Sequence, residues 1–131
     1  MTESNPVRIS VIIPCHNEVE SIATVVQTCR AALAAPEDEV IVVDDGSTDG
    51  TAAAAAAAGA HVERFETNQG KGIALVAGAR ASRGGVLVFL DGDGQDDPRE
   101  LPTLLAALEP GVDMVIGSRF LGTLHSGSIH P

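Results

Sequence analysis

Two acidic side chains after an apolar segment form the clearest chemical pattern in the sequence. Asp91 and Asp93 flank Gly92 directly after residues 85–90. Two carboxylates at this spacing repel each other when both are ionised, and a hard divalent cation such as Mg²⁺ or Mn²⁺ relieves that repulsion by taking oxygen ligands. Gly92 leaves room for a ligand to approach the backbone. The pattern therefore predicts a cation site, with an acidic helix cap as the alternative.

A second acidic pair, Asp44 and Asp45, ends the apolar segment 39–43. A carboxylate at the end of a strand could accept hydrogen bonds from a nucleobase N–H or a ribose hydroxyl, and an ordinary acidic turn explains it equally well. Residues 47–50 are typical of turns and helix N-caps, so most of them need no functional explanation.

Four single residues are also candidates, each with a structural alternative. Glu18 could bind a ligand or stabilise a helix N-terminus through its charge. A lone histidine such as His16 is more often structural. Lys71 lies between two glycines before a predicted helix, where a phosphate contact and a solvated lysine are equally good explanations. Arg119 follows the last predicted strand and suits a diphosphate or an anionic acceptor.

These residues need a scaffold, and the apolar pattern predicts one of alternating strands and helices. Apolar, β-branched segments predict strands at 7–13, 39–43, 60–64, 85–90 and 113–117. The segments between them predict helices at 21–34, 51–58, 73–81 and 100–108.

Local signals mark the ends of these helices. Asn17 with Glu20 predicts a capping box for the first helix. Gly59 predicts the end of the alanine-rich second helix. The segment 97–100 (DPRE) has the order of an N-cap, a proline at N1 and a glutamate at N3. Capping therefore accounts for the acidic residues 96–97 without a ligand.

Strands that alternate with helices predict βαβ units and a mostly parallel α/β sheet with helices on both faces, built as one domain over residues 1–131. In such sheets ligands bind beyond the carboxyl ends of the strands, where the strand order reverses. The polar clusters at 14–18, 44–47 and 91–95 each follow a strand. We therefore expect them to lie together on one rim.

Composition excludes several classes of function. With 8 basic and 18 acidic residues the net charge is −10, which argues against a nucleic-acid surface, although a bound cation could still neutralise one diphosphate. No segment approaches the ~20 apolar residues of a transmembrane helix. The N-terminus has no signal-peptide pattern, so we expect a cytoplasmic protein. Cys15 and Cys29 lack metal-site spacing and are expected to be reduced, buried thiols.

The sequence contains five characteristic blocks in a fixed order: VIIPCHNE (11–18), VVDDGSTDGT (42–51), NQGKGIAL (68–75), FLDGDGQDDP (89–98) and VIGSRF (115–120). Together they resemble the family 2 glycosyltransferases, and most closely the dolichyl- or polyprenyl-phosphate sugar synthase branch. The resemblance covers nearly the whole chain. A single DxD block has little specificity, but five ordered blocks have much more.

The resemblance implies a GT-A fold, which is a Rossmann-like nucleotide-binding sheet, and a nucleotide-diphospho-sugar donor. The residues implied to line the base and ribose are Pro14, His16 and Glu18. Val43 and Asp45 would contact the base, with Asp44 beside them, and Lys71 would also belong to the donor site.

The resemblance also implies a metal site in the DxD block. That block is formed by Asp91, Gly92 and Asp93. Asp93, the implied catalytic residue, would together with Gln95 hold the Mn²⁺ or Mg²⁺ ion that bridges the diphosphate. Arg119 would contact phosphate oxygens of the donor or of a lipid acceptor.

The implied reaction is metal-assisted displacement at the anomeric carbon with inversion. A polyprenyl or dolichyl phosphate acceptor is already anionic and needs no strong base, whereas a sugar hydroxyl needs a base that we do not find in the sequence. Family members continue beyond the region equivalent to Pro131 into an acceptor-binding part, often with membrane-associating helices. We therefore expect a full-length form at the cytoplasmic face of the membrane, and a donor-binding module without turnover is the alternative for this chain.

Other classes fit the sequence less well. A haloacid-dehalogenase-type phosphatase has its DxD loop after the first strand, whereas here the block follows the fourth. A response-regulator receiver could use Asp44 and Asp45, but we find no fitting phosphoacceptor aspartate with a distal lysine. A dinucleotide oxidoreductase requires GxGxxG after the first strand, and residues 14–18 do not have that pattern.

Overall fold

The computed structural model describes residues 9–33, 36–83, 86–94, 98–100, 112–117 and 121–125. The strands are β1 (Ile9–Cys15), β2 (Glu39–Asp45), β3 (His61–Phe65), β4 (Val86–Phe89), β5 (Val112–Gly117) and β6 (Leu121–His125). The helices are α1 (Ile22–Ala32), α2 (Thr51–Ala57) and α3 (Lys71–Ala81), with a 3-10 turn at Pro98–Glu100. Within these ranges, no helix combines the length and the apolar character needed to cross a membrane.

The described strands form one six-stranded sheet in the order β3-β2-β1-β4-β5-β6. The pairs from β3 to β5 are parallel, and β6 runs antiparallel to β5. The chain moves from β1 outwards to β3 and then returns past β1 to β4, so the strand order reverses between β1 and β4. The carboxyl ends of these two strands therefore flank the crevice in which open α/β sheets bind their ligands.

Each face of the sheet buries an apolar layer. Side chains alternate along β1, so Val11 and Ile13 pack with Val26 of α1 on one face, and Ile12 packs with Ala74 of α3 on the other. Because the central strands are covered on both faces, their sequences are continuous apolar segments rather than alternating ones. The apolar packing on both faces holds the central strands in place and so fixes the positions of their ends.

Helix α3 lies close against the sheet because it carries a glycine at the point of contact. A Cβ at Gly78 would collide with Cγ2 of Ile12 and would lie 3.2 Å from Cγ2 of Val43. Glycine lowers helix propensity by about 1 kcal/mol relative to alanine, so close packing is the reason for its presence here. The helix in turn places its first residue, Lys71, beside the carboxyl edge of the sheet.

The α/β fold class predicted from the sequence is confirmed, with small shifts in the ends of the elements. β1 continues to Cys15, and α3 begins at Lys71, two residues before its predicted start. The strand Leu121–His125 was not predicted, because its short, glycine-containing sequence has little strand propensity. The predicted helix at 100–108 lies outside the described residues except for Glu100, which belongs to the 3-10 turn.

The predicted capping box of α1 is wrong. The N-cap residue is Ser21, and its side chain makes no capping hydrogen bond. Its hydroxyl instead donates to the carbonyl of Gly92 at 2.7 Å. Asn17 lies four residues before the N-cap, and its side chain binds the loop after β2. The predicted end of α2 is confirmed, since Gly59 follows the C-cap residue with a φ of 107°.

Both cysteines are free, buried thiols, as predicted. Burial raises the pKa of Cys29 to about 12. Burial also raises the pKa of Cys15 to about 12, with a further contribution from nearby carboxylates, of which Asp44 has the largest effect. Neither thiol is therefore ionised near neutral pH, and both act as small apolar core groups.

Candidate functional site

A cleft of about 400 Å³ opens at the carboxyl edge of the sheet, between the ends of β1, β2 and β4. This volume lies within the range of small-molecule sites. The residues that line it are Pro14, Cys15, His16, Glu18, Asp45, Asn68, Gly70, Lys71, Asp91 and Asp93. Three separate strand-end loops and the start of α3 thus contribute to one cleft at the point where the strand order reverses.

The loop after β1 is bound to the loop after β2 by hydrogen bonds. The backbone N–H of Asn17 donates to Oγ of Ser47 at 2.8 Å, and the side-chain Oδ1 of Asn17 accepts the N–H of Thr48 at 2.8 Å. The N–H of Glu18 donates to Oγ1 of Thr51 at 2.9 Å. The turn residues of the second loop therefore act as structural partners that hold the first loop, in agreement with the structural explanation given to them from sequence.

Asp45 binds the loop that precedes α3. Its carboxylate oxygens accept the N–H groups of Gln69 at 2.6 Å and Gly70 at 2.9 Å, and the residue is 5% exposed. Its carbonyl accepts the side-chain N–H of Asn68 at 3.2 Å. The next residue, Gly46, has a φ of 75°, and a Cβ there would lie 2.5 Å from the backbone nitrogen of Asn68. The two loops are thus packed backbone against backbone.

The acidic block after β4 is partly neutralised by a lysine. Nζ of Lys71 lies 2.6 Å from Oδ1 of Asp91, and the two side chains are 62% and 28% exposed. The repulsion between Asp91 and Asp93 is therefore relieved in part by the protein itself, a possibility that spacing along the chain does not reveal. Such an exposed ion pair contributes little to stability, so a bound ligand can replace it at small cost.

Gly92 has a packing role that was not foreseen. A Cβ at this position would lie 2.9 Å from Cβ of Cys15 and 3.3 Å from Cδ1 of Ile22. Gly92 is buried, and its carbonyl accepts the hydroxyl of Ser21. The glycine between the two aspartates thus lets the turn approach β1 and α1 closely.

Glu18 lies in a strongly acidic environment. Burial raises the pKa of its carboxyl above the ordinary value, and the carboxylates of Asp93 and Asp91 raise it further, against the lowering effect of a hydrogen bond from the His16 backbone N–H. Glu18, Asp91 and Asp93 thus bring several negative charges to the same cleft. A cation in the cleft would remove that repulsion.

The donor chemistry of the cleft fits a hard divalent cation bound jointly with a phosphate ligand. Asp91, Asp93 and Glu18 offer only oxygen atoms, which Mg²⁺ and Mn²⁺ prefer. Within the described ranges, no group of three or more His, Cys, Asp or Glu side chains forms a ready-made cage. Mg²⁺ typically uses one or two carboxylates together with substrate phosphates and water, so such a cage is not required.

Not every predicted site residue lies in this cleft. The predicted residues that line it are Pro14, His16, Glu18, Asp45, Lys71, Asp91 and Asp93. Val43 is fully buried in the core against α3, and Gly92 is a packing residue beneath the turn. Gln95 and Arg119 lie outside the described residues, so their predicted roles stay predictions.

Asp44 is held on the other side of β2 from Asp45. Its Oδ1 accepts the N–H of Ser47 at 3.0 Å, and its Oδ2 lies 3.7 Å from Nε of Arg64. With a side chain 1% exposed, Asp44 stabilises the turn and does not line the cleft. The alternation of side chains along a strand separates two adjacent aspartates that looked equivalent in the sequence.

Cys15, Asn68 and Gly70 line the cleft but were not among the predicted site residues. The sequence predicts Cys15 only as a core residue. Its position between Pro14 and His16, two predicted site residues, is the signal that could have identified it as part of the cleft. Gly70 has a φ of 102°, which could have been suspected from the two glycines around Lys71. Asn68 is the first residue of the block NQGKGIAL (68–75), and its place in that block is the signal that could have identified it.

Comparisons with known proteins agree with this geometry. Residues 10–131 match the family model described as glycosyl transferase family 2. The chain is 43% identical over 120 residues to an undecaprenyl-phosphate mannosyltransferase of Micrococcus luteus, covering 86% of this chain and 48% of the relative. It is 35% identical over 124 residues to an undecaprenyl-phosphate 4-deoxy-4-formamido-L-arabinose transferase of Yersinia enterocolitica, covering 88% of this chain and 38% of the relative. The chain thus spans less than half the length of these relatives.

Solved structures show the same fold. Glucosyl-3-phosphoglycerate synthase from Mycobacterium tuberculosis in complex with uridine diphosphate superposes with a TM-score of 0.71 at 34% identity, covering 81% of this chain and 42% of that one. The same enzyme in complex with Mn²⁺, uridine diphosphate and glucosyl-3-phosphoglycerate gives a TM-score of 0.69 at 32% identity, with coverage of 81% and 42%.

Proposed function

The chain belongs to glycosyl transferase family 2, and on this premise we propose that it forms the donor-binding part of an inverting, metal-dependent glycosyltransferase. The donor is a UDP- or GDP-sugar, and the acceptor is a polyprenyl phosphate. The acceptor class is supported by the undecaprenyl-phosphate sugar transferases among the relatives. The donor class is supported by the uridine diphosphate bound in the structural neighbour.

The observation that carries the proposal is the convergence of Asp45 and Asp93 on one cleft. These residues are 48 positions apart in the sequence, yet both line the space between β1, β2 and β4. A nucleoside diphosphate has two chemically different parts, a base with N–H groups and a diphosphate with negative charge. A cleft lined by an anchored carboxylate and by clustered carboxylates suits both through direct and cation-mediated contacts.

Each lining residue has a distinct part in donor binding. Pro14 and His16 form the wall against which the base and ribose lie, and Asp45 accepts a base N–H. Lys71 leaves Asp91 and contacts a phosphate oxygen when the donor enters. Asp93 would hold a divalent cation together with Gln95, and Asp93 would in this sense be the catalytic residue. When bound, a divalent cation supplies charge neutralisation for the nucleoside diphosphate as it leaves.

Transfer proceeds by attack of the acceptor oxygen on the anomeric carbon from the side opposite the diphosphate, which inverts the configuration. A phosphate acceptor is anionic before it arrives, so this chain need not supply a strong base. Arg119 helps to orient the anionic groups of donor or acceptor. A lipid acceptor of this kind would bring the reaction to a membrane, and we propose that a full-length form acts at its cytoplasmic face.

The test is isothermal titration calorimetry with UDP, GDP and their sugars, with and without Mn²⁺, on the wild type and Asp93→Asn. We expect binding that Mn²⁺ strengthens in the wild type and an affinity about tenfold or more weaker in Asp93→Asn in the presence of Mn²⁺. Asp38→Asn is the matched control, because it removes the same charge at the opposite edge of the sheet, where Asp38 accepts the N–H of Ile9 at 3.0 Å.

Binding that is independent of the metal and equal in both variants would contradict the proposal. Adding a polyprenyl phosphate to the donor-bound protein separates the two functions left open by the sequence. Product with inverted configuration supports a transferase, whereas metal-dependent binding without product identifies a donor-binding module.

A further inference from the structure

Asn17 has an unusual backbone conformation. Within the described ranges it is the sole residue other than glycine with a positive φ, at 55°. The remaining positive-φ positions there are Gly46, Gly59, Gly70 and Gly94. Glycine adopts this conformation most easily, and asparagine tolerates it better than most residues. The chain has asparagine at a position that glycine would adopt more easily. We therefore looked to the contacts of the Asn17 side chain for the reason.

The contacts of Asn17 fix the orientation of its amide group. Its Oδ1 accepts the backbone N–H of Thr48 at 2.8 Å, and its own N–H donates to Oγ of Ser47 at 2.8 Å. A backbone N–H can only donate, so the atom that faces Thr48 must be the amide oxygen. The amide nitrogen Nδ2 then lies 3.3 Å from Nε2 of His16.

The same argument fixes the tautomer of His16 in its neutral form. Nδ1 of His16 lies 2.8 Å from the carbonyl oxygen of Asp45. A carbonyl can only accept, so Nδ1 carries the proton. Nε2 is then the acceptor, and it faces the N–H donor of Asn17. Two partners on opposite sides of the ring thus select the same tautomer.

We propose that Asn17 is a positioning residue of the donor site, which fixes the His16 imidazole as the Nδ1–H tautomer and holds the ring and the adjacent Glu18 against the loop after β2. With both nitrogens engaged by the protein, His16 serves the cleft as a fixed flat wall rather than as a carrier of protons. The part of the proposal that concerns the donor rests on the function proposed above.

The experiment compares the wild type with Asn17→Asp and Asn17→Gly by long-range ¹H–¹⁵N NMR of the assigned His16 ring, together with nucleotide titration. The wild type should show a protonated Nδ1 and an unprotonated Nε2. In Asn17→Asp a carboxylate oxygen replaces the amide donor, so Nε2 should become protonated. Asn17→Gly keeps the backbone conformation but loses the donor to Nε2, so the Nε2 signal should shift while the Asp45 carbonyl keeps Nδ1 protonated. Nucleotide affinity should fall about tenfold, because the ring is then held on one side only.

Thr28→Ala is the control, because Thr28 makes a comparable side-chain-to-backbone hydrogen bond to Thr24 at 2.8 Å, within α1 and outside the cleft. It should alter neither the His16 spectrum nor the affinity. A His16 spectrum that is unchanged in both Asn17 variants would overturn the proposal, as would wild-type affinity in a folded Asn17→Gly protein. If the wild type binds no nucleotide, the proposed function fails, while the spectra still decide whether Asn17 fixes the ring.

Discussion

The two edges of the sheet both carry acidic side chains, but the surroundings of these acids differ. At the amino edge, the Glu39 carboxylate accepts the hydroxyl of Ser10 at 2.6 Å and the backbone N–H of Arg83 at 2.7 Å. At the carboxyl edge, Glu18 lies beside Asp91 and Asp93 in an open cleft. The first acid is paired with protein donors, and the second is crowded by charges of its own sign.

The pKa directions express this difference. Burial alone would raise the pKa of Glu39, but the hydrogen bonds from Ser10 and Arg83 and the charge of the Arg83 guanidinium lower it overall. The pKa of Glu18 is instead raised by burial and by its acidic neighbours. An acid such as Glu39, whose ionised form is stabilised by hydrogen bonds and a nearby positive charge, has a structural role. An acid such as Glu18, whose ionised form is destabilised by burial and like charges, would be stabilised by an external cation.

Asp45 shows that the contrast is not simply one of position. It lies at the carboxyl edge, yet its oxygens bind the N–H groups of Gln69 and Gly70 much as Glu39 binds its donors. The carboxyl edge therefore contains both an anchored acid and crowded acids. The anchored acid holds the loops while it also lines the cleft, and the crowded acids line the cleft among charges of their own sign.

The largest effect should come from disturbing the anchored part of the carboxyl edge. Gly46→Ala places a Cβ 2.5 Å from the backbone nitrogen of Asn68 at a φ of 75°, so we expect a loss of about 3 kcal/mol in the free energy of unfolding. Urea denaturation measures it. Gly72→Ala is the control, since no atom lies within 4 Å of its added Cβ, and it should change stability by less than about 1 kcal/mol, in the stabilising direction. Equal effects of the two substitutions would contradict the close packing of the loops.

At the amino edge, Glu39→Gln should cost about 1–2 kcal/mol at pH 7, because charged acceptors make the stronger hydrogen bonds. The pKa of Glu39 is lowered in the folded protein, so its contribution is present above the ordinary carboxyl pKa and is lost as the pH falls through the folded pKa. The difference between wild type and variant should therefore shrink on acidification. Denaturation curves at several pH values test this, with the exposed Glu20→Gln as a control expected to change stability by less than about 0.5 kcal/mol.

The smallest effect on stability, with the opposite sign, should come from Glu18→Gln. The raised pKa of Glu18 means that its ionisation opposes folding, so wild-type stability should fall relative to the variant as the pH rises from the ordinary carboxyl pKa through the folded pKa. At neutral pH the variant should be as stable as the wild type or slightly more so, while its nucleotide affinity decreases. A variant that is less stable at neutral pH would show that Glu18 belongs with the structural acids.

Most of the fold could be predicted from the sequence because its signals are local. Continuous apolar segments gave the buried parallel strands, and the polar residues after them gave the edge on which the cleft lies. The capping box of α1 could not be predicted correctly, because Asn17 has a partner, Thr48, that lies 31 residues away. A capping pattern indicates what a side chain can do locally, and a stronger distant contact can replace it.

The candidate site was harder to predict in detail, because its contacts also join residues that are far apart in the sequence. The spacing of Asp91 and Asp93 suggested two carboxylates without a protein cation, but α3 brings Lys71 to Asp91 from a distant part of the sequence. Asp44 and Asp45 looked alike until the strand placed them on opposite faces. Motifs thus identified the edge of the sheet, and three-dimensional packing decides which of its acidic residues are held by protein donors.

The strand order has a consequence for synthesis of the chain. β1 lies between β2 and β4, so one side of the strand that leads into the His16 loop stays unpaired until residues 86–89 have left the ribosome. The hydroxyl of Ser21 must likewise wait for Gly92, 71 residues later. A nascent chain that stops near the end of α3 exposes a long apolar strand edge, which invites pairing with other chains. Insertion of β4 pairs this side of β1 and brings Asp91 and Asp93 to the cleft, so one folding event covers the central strand and completes the lining of the cleft.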